Sequence, residues 1–375
     1  YLTHIWNLTS MMDHPIIAKE EDQDEACYRQ FYEEAISLCR QKRFHEALEK
    51  CRYTSLDDEE EYSIDVIQPE KIEFKQNSYE DGENSIISFP EFLLLVLDVC
   101  TGGEQPASHY QPDKLIEKFD ALKTYFTAGE FYEKMLYYRL LLDYYTIRRD
   151  IKDGQGNYSL ILKGPKDDSD KLKQYQSMLY VSTEAFYNWL KPYLRKLEQD
   201  ELHSCAEMLA FLKKGDNERH SILPARKDLS YKASGNIRYW FWRLDYYLWE
   251  QRSTFFNEEE QKIVEHYVFR RNRSIEHLHP QDESHNEEWE EEAVHSFGNL
   301  AMISQSFNSQ QSNDHIQIKF ARIHEQISNK SLQSIKMFLM CKLADFNYLN
   351  WTMKLTKEHE NEMIEFLERS FYISD

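Results

Sequence analysis

The sequence has little glycine and proline for its length. Its 375 residues include 10 Gly and 9 Pro, against 25 Tyr and 21 Phe. Sandwiches and barrels need Gly and Pro at their turns, whereas helix interiors avoid both residues. The shortage therefore argues against an all-β architecture and predicts long helices packed through aromatic side chains. A chain of this length can bury a substantial core and is expected to hold two or three domains.

The six cysteines are far apart and form no Cys-x-x-Cys pair, so a zinc site built on such pairs is not expected. The even spacing of Cys27, Cys39 and Cys51 leaves a metal site open, but buried free thiols on helices explain it more simply. No apolar run reaches the roughly 18 residues that a membrane span needs, and no secretory signal is recognisable at the start. We therefore predict a cytoplasmic protein with no membrane contact.

Acidic residues dominate the charge, and the formal net charge is −21. Neutralisation of phosphate by Lys and Arg dominates nucleic-acid affinity, so this charge argues against a nucleic-acid binder. Its distribution is uneven, because acids concentrate at 57–61 and 287–292. Four arginines instead surround one short histidine-containing segment and are candidate phosphate contacts: Arg270, Arg271, Arg273 and Arg322.

Apolar periodicity predicts a mainly α fold. Helices are expected at 20–53 with a short break, 92–100, 112–125, 128–149, 169–198, 201–214, 235–252, 331–348 and 356–371. Short strands are expected near 63–90 and 151–165, where turn residues interrupt the pattern. The polar stretch 215–232 predicts a domain boundary, which divides the chain into a helical module at 1–228 and a second domain at 229–375.

One segment combines an acid, a histidine and a strand-ending proline. Glu276 and His277 are followed by Pro280, which cannot donate a ladder hydrogen bond and so ends the strand. Asn299 is then expected on the return strand, and Asn308 near the start of a closing helix. This order predicts a strand, a loop, a second strand and a helix.

These residue types suit the hydrolysis of a phosphodiester. A neutral imidazole can accept a proton from water near neutral pH, so His277 is a candidate general base. Mg²⁺ prefers oxygen and usually takes only one or two protein ligands, which makes Glu276 and Asn308 candidate metal ligands. Asn299 is expected to orient the imidazole through its side-chain amide.

Residues 274–281 with Gly298-Asn299-Leu300, Asn308 and Lys319 resemble the C-terminal HNH domain of GmrSD-type, modification-dependent (type IV) restriction endonucleases. The spacing is also similar to the HNH domain of RNA-guided CRISPR nucleases. The resemblance covers about residues 264–322. It implies a small ββα-metal (HNH, His-Me finger) nuclease motif, with its core at 263–325, embedded in helices.

The resemblance also implies a function, a cofactor and partners. It implies a restriction or phage-defence DNA endonuclease that uses Mg²⁺ or Mn²⁺, cuts DNA with or without modified bases, and contacts phosphate through Lys319. It further implies a nucleotide-dependent sensor, as an N-terminal module or a partner. No Gly-x-x-x-x-Gly-Lys loop occurs here, so we expect that sensor outside this chain. The missing initiator Met likewise predicts a piece of a longer protein.

Several interpretations stay open at this point. His279 stands where an aliphatic residue is usual in this pattern, and next to Pro280 it is expected at the surface or behind the site. His285 and His295 are expected to be exposed loop residues rather than ligands of a second metal. The aromatic residues between Arg238 and Arg243 are expected in the core rather than stacked on bases. The alternative for the whole chain is a non-catalytic helical interaction or scaffold protein that keeps an HNH-like fold.

Overall fold

The computed structural model describes residues 24–51, 85–151, 158–165, 169–182, 184–235, 237–271, 273–281, 289–304 and 316–372. Within these residues the chain is mainly helical and contains two antiparallel sheets of two strands each. The predicted fold class is confirmed at this level. The strands predicted near 63–90 fall largely outside the described residues.

The elements follow one another in this order. The N-terminal half contains α1 (Asp24–Arg40), α2 (Phe44–Cys51), α3 (Phe89–Cys100), α4 (Leu115–Leu122), α5 (Ala128–Tyr145), β1 (Arg148–Ile151), β2 (Tyr158–Ile161), α6 (Ser169–Val181) and α7 (Phe186–Glu198). The C-terminal half contains α8 (Cys205–Arg219), α9 (Arg238–Glu250), α10 (Arg252–Phe255), α11 (Glu258–Glu265), β3 (Arg273–His277), α12 (Glu291–Val294), β4 (Leu300–Ser304), α13 (Ile316–Ser328), α14 (Ile335–Leu343) and α15 (Met353–Arg369).

The chain divides into two compact units that interleave along the sequence. One comprises Tyr1–Ser169 with Phe186–His203, and the other comprises Asp170–Ala185 with Ser204–Asp375. The second unit therefore contains α6 in addition to every element from α8 onward. The domain boundary predicted near residue 228 stays a prediction.

The first unit is built on α3 and α5. Ser88 begins α3 with a capping box, because its side chain accepts from the backbone N–H of Glu91 while the Glu91 carboxylate accepts from Ser88. Pro90 fits the first turn, where its missing N–H leaves no bond unmade. Every residue from 92 to 98 is buried. Burial of so apolar a run makes α3 the centre of this core.

One predicted helix ends earlier than expected. We predicted a helix at 128–149, but α5 ends at Tyr145, and Arg148–Ile151 forms a strand paired with Tyr158–Ile161. The backbone turns extended at Thr146, whose hydroxyl donates to the carbonyl of Leu142 at 2.6 Å. The predicted helix at 169–198 is likewise two helices, α6 and α7.

The second unit packs around α9, whose aromatic side chains are buried. Tyr239, Trp240 and Trp242 are each less than a tenth exposed, which confirms the core interpretation of this stretch. α9 packs against α14, α15 and β4. Its Arg243 donates to Asp216 at 3.0 Å and to the hydroxyl of Ser370 at 3.0 Å, and so joins α8 to the end of α15. These helices form the support on which the β3–β4 pair lies.

Two further expectations concern composition. Cys39 and Cys51 are buried thiols on helices, as predicted. Among the described residues, none of the helices is both long and apolar enough to cross a bilayer.

Candidate active site

The end of the β3–β4 pair places Glu276 and His277. In this pair Glu276 lies opposite Ala301, and His277 lies opposite Leu300. Pairing continues one residue further, since the N–H of Leu278 donates to the carbonyl of Asn299 at 2.9 Å. Successive side chains of a strand point to opposite faces. The carboxylate and the imidazole therefore meet different surroundings.

On one face, Glu276 meets Lys319 of α13. The two side chains form a buried ion pair, with 7% and 4% of their residues' surfaces exposed. The Lys319 ammonium also donates to the carbonyl of His277 at 2.5 Å. Lys319 is thus held at the end of the strand rather than on the helix surface, and its charge favours the ionised form of the carboxylate.

On the other face, His277 lies among polar and aromatic side chains. Its Nε2 lies 3.1 Å from Nδ1 of His295, and the amide nitrogen of Gln281 lies 2.9 Å from its Nδ1. The ring of Tyr231 packs against it edge-on, with centroids 4.5 Å apart. Burial, then the nearby His295 and Lys319, lowers the pKa of His277 to about 3. The imidazole is therefore neutral near pH 7 and keeps a lone pair.

Asn299 fixes the loop that follows β3. Its amide group donates to the carbonyls of His279 and Val294 at 3.0 and 2.9 Å. Its carbonyl oxygen accepts from the N–H of His279 at 2.8 Å and from the indole of Trp351 at 3.2 Å. The expected bond from this amide to the imidazole of His277 is not among these four. Asn299 instead acts on the backbone two residues beyond His277.

The turn that carries Asn299 is itself held from behind. Phe297–Asn299 forms one 3-10 turn, and Lys336 of α14 donates to the carbonyls of Phe297 and Leu300 at 2.8 and 2.7 Å. Complete burial lowers the pKa of Lys336 to about 7, against the opposing effect of Asp245 and then Glu360. The buried ammonium of Lys336 therefore bonds the backbone of the turn and does not lie at the surface.

The two neighbouring histidines, His279 and His295, are both buried. His279 stacks on Trp289 with centroids 3.9 Å apart, and burial lowers its pKa to about 4. The expectation that His295 is an exposed loop residue is wrong, because only 9% of its surface is exposed. It follows α12 directly, and its ring lies against His277. His285 lies outside the described residues.

The arginines predicted to contact phosphate differ in exposure and in the contacts that they already make. Arg270 is exposed, whereas the guanidinium of Arg271 lies 4.0 Å from the ring centroid of Tyr180 and donates to that residue's carbonyl at 3.2 Å. Arg322 is half-buried on α13. The structure describes the backbone of Arg273 but not its side chain. Arg270 is thus the described arginine best placed to meet a ligand.

The donor set suits a hydrated hard cation. Among the described residues, no three His, Cys, Asp or Glu side chains converge as a metal site. Mg²⁺ needs few protein ligands, and one buried carboxylate fits that share. Glu276 would provide it, while Asn308, the other expected ligand, lies outside the described residues. The described donors therefore fit Mg²⁺ and do not form a closed zinc site.

The Glu276 carboxylate and the neutral His277 imidazole project from opposite faces at the end of β3, and α13 covers the face that carries Glu276. Residues 218–366 match the family model described as GmrSD restriction endonucleases, C-terminal domain. The resemblance predicted from the motif is confirmed, and it extends beyond 264–322. No curated protein and no solved structure matches the chain.

The sequence alone missed three partners of His277 and its supporting turn. Tyr231 precedes His277 by more than 40 residues, and Lys336 and Trp351 follow His277 by more than 50. Their contacts depend on how α14, α15 and the segment before α9 pack on the strand pair. His295 did carry a signal, since it lies three residues before Gly298 in the motif itself.

Proposed function

We propose that the matched region is a DNA endonuclease domain of the HNH, or ββα-metal, type in a restriction or phage-defence system. The observation that carries the proposal is the neutral imidazole of His277, which follows the Lys319-paired Glu276 directly at the end of β3, inside residues 218–366. β3, β4 and α13 would be the two strands and the helix of this motif.

In this reaction His277 accepts the proton of a water molecule, whose oxygen attacks the phosphorus atom. The bond from phosphorus to the 3′ oxygen breaks, and a 5′-phosphate remains. A bound Mg²⁺ or Mn²⁺ would stabilise charge on the phosphoryl oxygens and the leaving oxygen. Glu276 would hold it, together with Asn308.

The surrounding residues support these two groups. Asn299 fixes the backbone after His277 through four hydrogen bonds. The charge of Lys319 favours the ionised form of the Glu276 carboxylate, and Lys319 would contact a phosphate if that carboxylate held a metal ion. Arg270, Arg271, Arg273 and Arg322 are proposed to contact neighbouring phosphates.

DNA recognition is proposed to rest largely on another module. A chain with a net charge of −21 gains little from phosphate contacts. We assign the reading of modified bases, and any nucleotide dependence, to an N-terminal sensor module or a partner, and we place the reaction in the cytoplasm. The alternative is a helical scaffold protein in which Lys319 occupies Glu276 permanently, and their buried ion pair is the observation that favours it.

The experiment compares plasmid cleavage by the full chain with and without Mg²⁺. The His277→Ala variant should lose activity by about 10²–10⁴-fold, as expected for removal of a general base. His266→Ala is the matched control, because His266 is an exposed histidine whose ring bonds the backbone carbonyl of Lys262. Equal cleavage by the wild type and the His277→Ala variant would refute the enzyme proposal and favour the scaffold.

A further inference from the structure

Two cations of the first unit lie over the ring of one tyrosine. The guanidinium carbon of Arg148 and the ammonium nitrogen of Lys163 are each 5.6 Å from the ring centroid of Tyr28. The β1–β2 pair brings them together, because Arg148 lies opposite Ile161 and Lys163 follows Ile161 by two residues. An aromatic face attracts a cation but carries no net charge, so Tyr28 neutralises neither of them.

Arg148 is buried although its guanidinium has no acidic partner. Only 5% of its surface is exposed. Within the described residues, its Nε has no hydrogen-bond partner and its side chain takes part in no ion pair. A buried charge is costly unless it is paired, so a buried guanidinium without a partner is a candidate for contact with a ligand.

The carboxylates nearest along the chain bond other groups. Asp143 of α5 accepts from Nε of Arg139 at 2.9 Å and from the hydroxyl of Tyr32 at 3.4 Å. Burial raises the pKa of Asp143, against the opposing effects of Arg139 and then Arg148. Asp150, two residues along β1, accepts at 3.5 Å from the serine opposite it. Asp143 therefore balances Arg139, and the charge of Arg148 is left over.

We propose that Arg148 and Lys163 form a phosphate-binding site in the first unit. The planar guanidinium of an arginine matches two oxygens of a phosphate group, and a lysine adds a point charge. A bound phosphate would supply the negative charge that these two cations lack. The candidate active site belongs to the second unit, so this site is a separate one. Two sources share the chemistry, a nucleic-acid backbone and a small phosphorylated molecule.

Calorimetry with inorganic phosphate tests the site directly. Phosphate is titrated into the full chain at constant ionic strength and without divalent metal. Arg148→Met keeps an apolar stem against Tyr28 but removes the charge, and affinity should fall about 10–100-fold. Arg149→Met is the matched control, because the neighbouring Arg149 donates instead to the carbonyl of Ser85 at 3.2 Å. Equal affinity in wild type and Arg148→Met, or no binding by wild type, would overturn the proposal.

Thermal unfolding in phosphate-free buffer separates a ligand site from a structural role. A buried charge without a partner destabilises the fold, so Arg148→Met should melt at or above the temperature of wild type. A clearly lower Tm would show that the guanidinium serves the fold, and would refute the site. Lys163→Met changes an exposed residue and should weaken phosphate binding about 3–10-fold. Unchanged affinity in that variant would refute the two-cation site as well.

A labelled DNA duplex then distinguishes the two sources of phosphate. Its binding to the full chain is followed by fluorescence anisotropy without metal. Weaker duplex binding by Arg148→Met than by Arg149→Met would assign the site to backbone phosphate. Equal duplex binding by the two variants, together with loss of inorganic phosphate binding in Arg148→Met, would assign it to a small phosphorylated molecule. Neither measurement requires cleavage, so both stand whether or not the nuclease proposal holds.

Discussion

Replacement of Gly298 by alanine should destabilise the second unit and disable the site. Gly298 precedes Asn299 in the turn that α15 covers, and its Cα faces that helix. An added Cβ would overlap the carbonyl oxygen of Thr356 and come within 2.9 Å of Cβ of Glu360. The backbone of Gly298 is not in the left-handed region, so the close approach of α15 is the reason for glycine here.

The size of the effect follows from the rigidity of the contacted atoms. The oxygen of Thr356 belongs to helix backbone and cannot rotate away, so the turn or the helix must shift. Overpacking of this kind costs about 1–3 kcal/mol, and a unit of this size loses about 2–4 °C of Tm per kcal/mol. A shift of about 1 Å at the turn would also misplace the loop after His277 and cost about 10²-fold in rate.

The assay is thermal unfolding followed by plasmid cleavage, with Gly235→Ala as the control. Gly235 lies in the same unit, has no positive φ, and an added Cβ there meets no atom within 4 Å. Its substitution should change stability by no more than about 0.5 kcal/mol. If Gly298→Ala melts together with Gly235→Ala and cleaves normally, the close packing inferred for the turn is wrong.

Three further predictions concern metal, pH and salt. Glu276→Ala and Asn308→Ala should weaken Mg²⁺ binding in calorimetry, whereas Asn299→Ala should leave it nearly intact and lower the rate about 10–100-fold; equal loss of affinity in all three would show that the ligand roles are wrong. Burial lowers the pKa of Lys336 to about 7 in the folded chain, so the unfolded chain binds more protons above that pH. The stability of wild type relative to Lys336→Met should therefore rise from about pH 7 upward and be constant below it, and a flat difference in denaturant titrations would contradict this. Each phosphate neutralised contributes about −0.9 to the slope of log K against log salt, so the chain alone should bind duplex DNA weakly and with a shallow slope. Tight and steeply salt-dependent binding would place the sensor within these residues.

Much of the helical architecture could be predicted from the sequence, but helix ends could not. Apolar periodicity continues from α5 through Ile147, which is buried like the helix residues before it. No local sequence feature therefore predicts the change to a strand at Arg148. The change depends on pairing with Tyr158–Ile161, and pairing between separate segments is not visible in a window of neighbouring residues.

At the candidate site, the sequence identified the residue types but not their partners. The order of acid, histidine and proline predicted where β3 ends, and the structure places Glu276 and His277 at its last two positions. The motif also predicted that Asn299 orients the imidazole through its side-chain amide. The side-chain amide of Asn299 instead bonds backbone groups and the indole of Trp351. The ring of His295 lies beside His277. The choice of hydrogen-bond partners depends on how α12 and α15 pack at the turn.

The ion pair between Glu276 and Lys319 decides how the metal prediction must be tested. Both side chains are buried, and removal of one partner leaves an uncompensated charge, which costs about 3–5 kcal/mol. Glu276→Ala alone could then lose Mg²⁺ binding because the unit unfolds. The double variant Glu276→Met with Lys319→Met replaces both charges by apolar side chains of similar volume, and such replacements are often neutral for stability. We expect this variant to melt near wild type and to bind Mg²⁺ weakly in calorimetry. Wild-type affinity in a folded double variant would show that Glu276 serves the fold through Lys319 and does not hold the ion.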